Sequence, residues 1–143
     1  MNAASSGKSV SIVIGNTIAE MVRVVRFVER FGSDHEIPQS TINDLNICLD
    51  ELLNNTISYG YTDEVPHEIV VSLSLVDGVL TAVLRDDGMP FDPNRSFPMV
   101  PSGDLKSRKN GGLGLHFVRS LMDEMEYRRL GRYNEIQLKK GLR

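Results

Sequence analysis

Val10, Ile12 and Ile14 alternate with Ser9, Ser11 and Val13, a period of two that predicts a short strand ended by Gly15. Asn16 then reads as a helix N-cap, with Ile18, Met21, Val22, Val25 and Val28 recurring at helical spacing as a core-facing stripe and Gly32 as the stop. After the loop SDHEIPQST, Ser40 or Thr41 would cap a second helix running to about Ser58. At about 100° per residue, Leu45, Leu49, Leu52, Leu53 and Thr56 fall on one side of it, while Asp44, Glu51, Asn55 and Ser58 gather on a separate flank. Two β-branched runs joined by Asp77-Gly78 predict a hairpin with a two-residue turn. Along its second strand Leu80, Ala82, Leu84 and Asp86 share one face, so Asp86 continues an apolar row.

From Met89 to Gly111 the chain carries four of its six prolines and no periodicity, as in a functional lid. GGLGLHFVRSLMDEM opens a third helix with Leu115, Val118, Leu121 and Met122 as its stripe. EYRRLGRYNEIQLKK closes the chain as a hairpin, with Tyr127 and Leu130 on one arm and Ile136 and Leu138 on the other. The order β α α β β, loop, α β β lacks repeating βαβ units. It favours an α+β fold, a two-layer α/β sandwich with a mixed, mostly antiparallel sheet and helices on one face. At 143 residues the chain is expected to be one domain, 1–143.

Composition narrows the function little. With 41% hydrophobic and 24% charged residues it is ordinary for a folded protein, and a net charge of −3 offers no basic footprint for nucleic acid. Cys48 is the single cysteine, which excludes an internal disulfide framework and fits a reducing cytoplasm. The start MNAASSGKSVSIVIG has neither a signal-peptide apolar region nor a membrane span, so no membrane association is expected.

Three motifs carry candidate chemistry. Glu51 and Asn55, four apart, project from neighbouring turns of one helix face, where a carboxylate can sit near a reacting group and an amide oxygen on a hard cation. A solvated helix face would look the same. In RDDGMPFDP, Asp86 ends an apolar row, so it is partly buried and needs a donor, such as the exocyclic amine of a purine. Gly88 would let the backbone approach a flat base, although an Asp-Gly turn after a strand needs no ligand. In NGGLGL, Gly111, Gly112 and Gly114 precede a helix, and their amides could hold phosphates or merely give a flexible entry. The pattern is neither a Walker A motif nor a Rossmann fingerprint.

Taken in order, E-x-x-x-N on a helix, D-x-G after a strand, a long loop and G-x-G-L opening a helix resemble the nucleotide-binding motifs of the ATPase superfamily that includes gyrase, the Hsp90 chaperone and histidine kinases. The resemblance runs from about Val10 to the end, and DDGMPFDP with GGLGLHFVRSLMDEMEYRR is most similar to the bacterial anti-sigma-factor serine/threonine kinases of partner-switching systems. It implies ATP and Mg2+ as cofactors, Glu51 as the general base, and Asn55 as a magnesium ligand. It further implies that Asp86 accepts the adenine amine, that Gly88 packs on the base, and that Gly112, Leu113, Gly114 and Leu115 wrap the phosphates. Residues 92–110 would be the ATP lid, with Lys106, Arg108 and Lys109 as unassigned phosphate contacts. The implied partners are a sigma factor and an anti-anti-sigma protein that serves as kinase substrate, with a homodimer formed through the first strand and helix. A non-catalytic module, in which nucleotide only gates partner capture, needs nearly the same residues. Two departures stand out: Pro90 replaces the second glycine of D-x-G-x-G, and the late-strand threonine near the adenine is absent, with Asn134 or Glu135 near its place.

Overall fold

The computed structural model describes residues 9–93 and 118–142, and every structural statement here concerns those residues. Five strands form one sheet in the order β1-β2-β3-β5-β4: β1 Val10–Gly15, β2 Glu68–Val76, β3 Val79–Asp86, β4 Glu124–Leu130 and β5 Tyr133–Gly141. All four pairings are antiparallel, so the expected mixed sheet is antiparallel throughout. Helices α1, Met21–Asp34, and α2, Gln39–Tyr59, make the second layer, and helical residues 118–121 bring Val118 into the same core.

Register explains the core. Val71 opposes Leu84, which opposes Ile136; Leu73 opposes Ala82, which opposes Leu138. These rows meet Leu45, Leu49, Leu52 and Leu53 of α2, all buried as the periodicity predicts. Asp77 and Gly78 at φ 52° and 78° make the type I′ turn that fixes the register. The next row toward the end of the sheet pairs Asp86 with Asn134 and Asn134 with Arg129. Alternation thus carries a polar row onto the core-facing side.

Four local expectations are corrected. Asn16 does not cap the first helix: its Oδ1 accepts the His67 amide at 3.0 Å, and a single 3-10 turn, Ile18–Glu20, precedes α1. At about 100° per residue Val24, Val28 and Phe31 share the face of α1 that meets the core, while Val22 and Val25 fall off that face and Ile18 lies in the 3-10 turn, 51%, 42% and 54% exposed. Gly32 is not a stop. It lies inside α1, where a Cβ would come within 2.6 Å of the Ile42 side chain, so it lets α1 and α2 approach closely. Neither Ser40 nor Thr41 caps α2; Pro38 does, its carbonyl accepting the Thr41 and Ile42 amides.

Cys48 is fully buried in α2, and burial pushes its thiol up to about 12, which makes it a packing residue. No described helix is long and apolar enough to cross a membrane.

Candidate functional site

The flank of α2 and the acidic end of β3 meet. Asn55, Thr56, Tyr59 and Gly60 from α2 and its end line a cleft with Asp86, Met89, Pro90, Phe91, Asn134 and Ile136 from the sheet side. Two motifs more than thirty residues apart in sequence therefore share one cavity with apolar walls and few polar groups, the character of a small-molecule site.

At the helix end, Asn55 is buried and Glu51 half-buried. The Asn55 Nδ2 donates to Glu51 Oε2 at 3.3 Å. A carboxylate only accepts, so this contact fixes which end of the amide faces Glu51 and leaves Asn55 Oδ1 unclaimed by any described residue. Burial pushes the Glu51 carboxyl above its ordinary value; the Asn55 hydrogen bond pulls it back and neighbouring Asp50 adds to the rise. A carboxylate raised this way is better suited to take a proton near neutral pH.

At the sheet end, Asp86 is 4% exposed. Its Oδ1 accepts the Gly88 amide at 2.8 Å and the Asn134 Nδ2 at 2.9 Å, while Oδ2 accepts nothing from the described residues. An acceptor at the base of a cavity is thereby available to an incoming N–H. Burial pushes this carboxyl up as well, and the bonds from Asn134 and Gly88 oppose the rise.

Gly88 has a local reason to be glycine. A Cβ there would lie 2.6 Å from the Gly60 carbonyl oxygen, which also accepts the Met89 amide at 2.7 Å. The D-x-G turn is in this way fastened to the end of α2, which sets the width of the cleft. Beside it His67 bridges two carboxylates, Nε2 to Asp63 at 2.8 Å and Nδ1 to Asp87 at 3.1 Å, and stacks on Tyr61.

Sequence reasoning placed Asn134 only near a missing threonine, yet it is the hub of the sheet end. It is 4% exposed and touches Asp86, Gly88, Met89, Tyr127 and Arg129. The signal was the register itself, since a hairpin that pairs Ile136 with Leu84 must pair Asn134 with Asp86. Gly112, Leu113, Gly114, Leu115, Lys106, Arg108, Lys109 and residues 94–110 of the expected lid lie outside the described residues.

A family model for the histidine kinase-like ATPase domain matches residues 14–140, nearly the whole chain. The chain belongs to the histidine kinase-like ATPase domain family. Among similar proteins is the serine-protein kinase RsbW of Bacillus velezensis, 32% identical over 89 residues, which cover 59% of this chain and 56% of that protein. The serine/threonine-protein kinase BtrW of Bordetella bronchiseptica is 29% identical over 94 residues, 66% of each chain. This histidine kinase-like ATPase domain therefore spans between 56% and 66% of the length of those relatives. In the crystal structure of the RsbU and RsbW domains of Rv1364c from Mycobacterium tuberculosis, 32% of that chain superposes on 94% of this one, with a TM-score of 0.69 and 20% identity. That likeness is one of fold.

Proposed function

We propose that the chain is an ATP-dependent protein serine/threonine kinase of the partner-switching type. In this reading it phosphorylates a serine or threonine of an anti-anti-sigma protein, and it sequesters a sigma factor while the unphosphorylated partner is scarce. The observation that carries it is the shared cavity: Asn55 on the helix motif and Asp86 on the strand motif line one cleft, with Glu51 one turn from Asn55. The serine- and serine/threonine-kinase names of RsbW and BtrW supply the substrate class.

The donor sets fit the groups the family would bind. Asp86 Oδ2 would accept an adenine amine, and Gly88 would keep the turn thin enough for a flat base to lie against it. Asn55 Oδ1 would ligate magnesium, and Gly112, Leu113, Gly114 and Leu115 would wrap the phosphates under a lid of residues 92–110. No cluster of three or more metal-ligating side chains exists among the described residues, which suits a cation held chiefly by phosphate oxygens. ATP supplies the phosphoryl group, and magnesium the charge that offsets it. Glu51 accepts the proton of the attacking serine or threonine hydroxyl as its oxygen bonds to phosphorus, and ADP leaves. Such transfer needs mainly positioning and charge neutralisation.

The exposed apolar residues Val10, Val13, Ile18, Val22 and Val25, on the edge strand β1, the 3-10 turn and α1, support the reading of a homodimer. The reading as one domain, 1–143, placed in the cytoplasm and away from nucleic acid and membrane, belongs to the same proposal. The test is transfer of label from γ-labelled Mg-ATP to a cognate anti-anti-sigma protein, with ATP hydrolysis and sigma-factor affinity measured in ATP, ADP and no nucleotide. Transfer is expected. Nucleotide-dependent capture with no transfer would replace the kinase by a non-catalytic gated module.

A further inference from the structure

The Asn134 amide is saturated. Its Nδ2 faces Asp86 Oδ1 at 2.9 Å and the Met89 carbonyl at 2.8 Å, with the Gly88 carbonyl at 3.3 Å; its Oδ1 faces the Tyr127 hydroxyl at 2.6 Å and Arg129 Nη1 at 3.1 Å, with the Phe91 amide at 3.4 Å. An amide has two N–H donors and two acceptor lone pairs, and all four are taken. Its orientation is forced, because a guanidinium only donates and a backbone carbonyl only accepts. Arg129 holds the oxygen end; Met89 and Gly88 hold the nitrogen end.

Two consequences follow. Asn134 lines the cleft but has no valence left to read a base directly, so any influence on the base passes through Asp86. Asp86 Oδ1 meanwhile faces two obligate donors, the Gly88 amide and Asn134, so it can only accept. Whatever proton Asp86 carries must sit on Oδ2, the atom left to the cavity. Ionised, Oδ2 accepts from the exocyclic amine of adenine. Protonated, it donates, which suits the carbonyl oxygen that guanine carries at the same place. The base selected depends on that one proton.

Resting on the nucleotide-site reading above, we propose that Asn134, clamped by Tyr127 and Arg129, is a positioning residue that selects adenine over guanine by holding Asp86 in its acceptor form. Arg129 serves twice: its Nη1 also donates to the Gly88 carbonyl at 2.8 Å, and its positive charge favours ionised Asp86. Burial pushes Asp86 toward protonation and the neighbouring Asp87 carboxylate adds to the rise, so without the clamp the discrimination would be lost as pH falls.

The experiment is competition between ATP and GTP for the full chain from about pH 5.5 to 8, together with a carboxyl 13C NMR titration of Asp86 in the nucleotide-free protein. The unaltered protein should prefer ATP across this range, with Asp86 ionised. Asn134→Leu keeps the volume but removes one donor to Asp86 Oδ1, while the Gly88 amide still keeps any proton on Oδ2. It should raise the Asp86 midpoint by about one pH unit or more and lower the ATP-to-GTP ratio at least about tenfold at the acidic end. Tyr127→Phe, which frees one lone pair of the amide at the edge of the network, should move both readouts the same way by about two- to threefold.

A merely structural role would weaken ATP and GTP together, with a constant ratio at every pH. That result in folded Asn134→Leu overturns the proposal, as does a raised Asp86 midpoint with an unchanged ratio. Should Asn134→Leu not fold, an unchanged ratio in Tyr127→Phe overturns it equally. Unaltered protein that binds neither nucleotide would instead overturn the nucleotide site itself, whatever the NMR titration shows.

Discussion

The two ends of the cleft are built differently. At the sheet end Asp86, Asn134, Arg129 and Tyr127 share bonds of 2.6 to 3.1 Å, and Asn134 has every donor and acceptor engaged. At the helix end a single 3.3 Å contact joins Asn55 to Glu51, and Asn55 Oδ1 is unclaimed among the described residues. Groups that recognise a fixed shape gain from rigidity fixed in advance, because ordering them on binding would cost affinity. Groups that act on a developing charge tighten only when the reacting partner arrives. Under the proposed function, the difference fits recognition at the sheet and chemistry at the helix.

Glu51→Ala should test the helix end with the largest effect. A positioned general base contributes about 10²- to 10⁴-fold, so single-turnover phosphoryl transfer should fall by that much while ATP affinity changes by less than about threefold. A parallel loss of affinity would show that Glu51 belongs to recognition. At the sheet end Asp86→Ala should do the reverse. Losing a hydrogen bond to a charged group is worth about 1.5 to 3 kcal/mol, which predicts ATP binding about 10- to 150-fold weaker by calorimetry.

Gly88→Ala probes the joint between the ends. The new methyl would meet the Gly60 carbonyl, a backbone atom that cannot step aside, and overpacking of this kind costs about 1 to 3 kcal/mol. Thermal unfolding should show the loss, and ATP affinity should fall with it as the cleft widens. Alanine tolerated without cost would mean that the turn is not fastened to α2 as described.

The smallest effect concerns His67. Its imidazole is raised above the ordinary 6.5, first by the Asp63 hydrogen bond and then by Asp87. A raised folded value means that its stabilisation is present in full below the unfolded value and is lost as pH rises through the folded one. The unfolding midpoint of the unaltered protein should therefore drop more between about pH 6 and 9 than that of His67→Gln. Equal slopes would remove His67 as a fastener of the loop before β2.

Some of this was legible from the chain and some was not. Strict alternation put Asp86 in phase with Leu80, Ala82 and Leu84, and it is buried as that phase requires. The leucines of α2 and the Asp77-Gly78 turn were equally readable, because spacing alone decides them. Helix α1 was not. Valines at 22, 24, 25 and 28 span more than one face, and the packing of α1 against α2 and the sheet decides which face meets the core. Periodicity groups residues but does not say whether a group meets core or solvent. Asn134 was hidden for another reason: its partners come from β3, from the turn after it and from β4, and only the pairing of β5 between β3 and β4 assembles them. Gly32 shows the same limit, since its demand comes from Ile42 across a helix contact.

A crystal structure of the chain with magnesium and a non-hydrolysable ATP analogue would show whether both ends of the cleft hold one nucleotide. The base is expected between Asp86 and the end of α2, with its exocyclic amine within hydrogen-bond distance of Asp86 Oδ2 and with Asn55 Oδ1 on the cation. A nucleotide bound away from Asp86, or a cation ligated without Asn55, would contradict this arrangement.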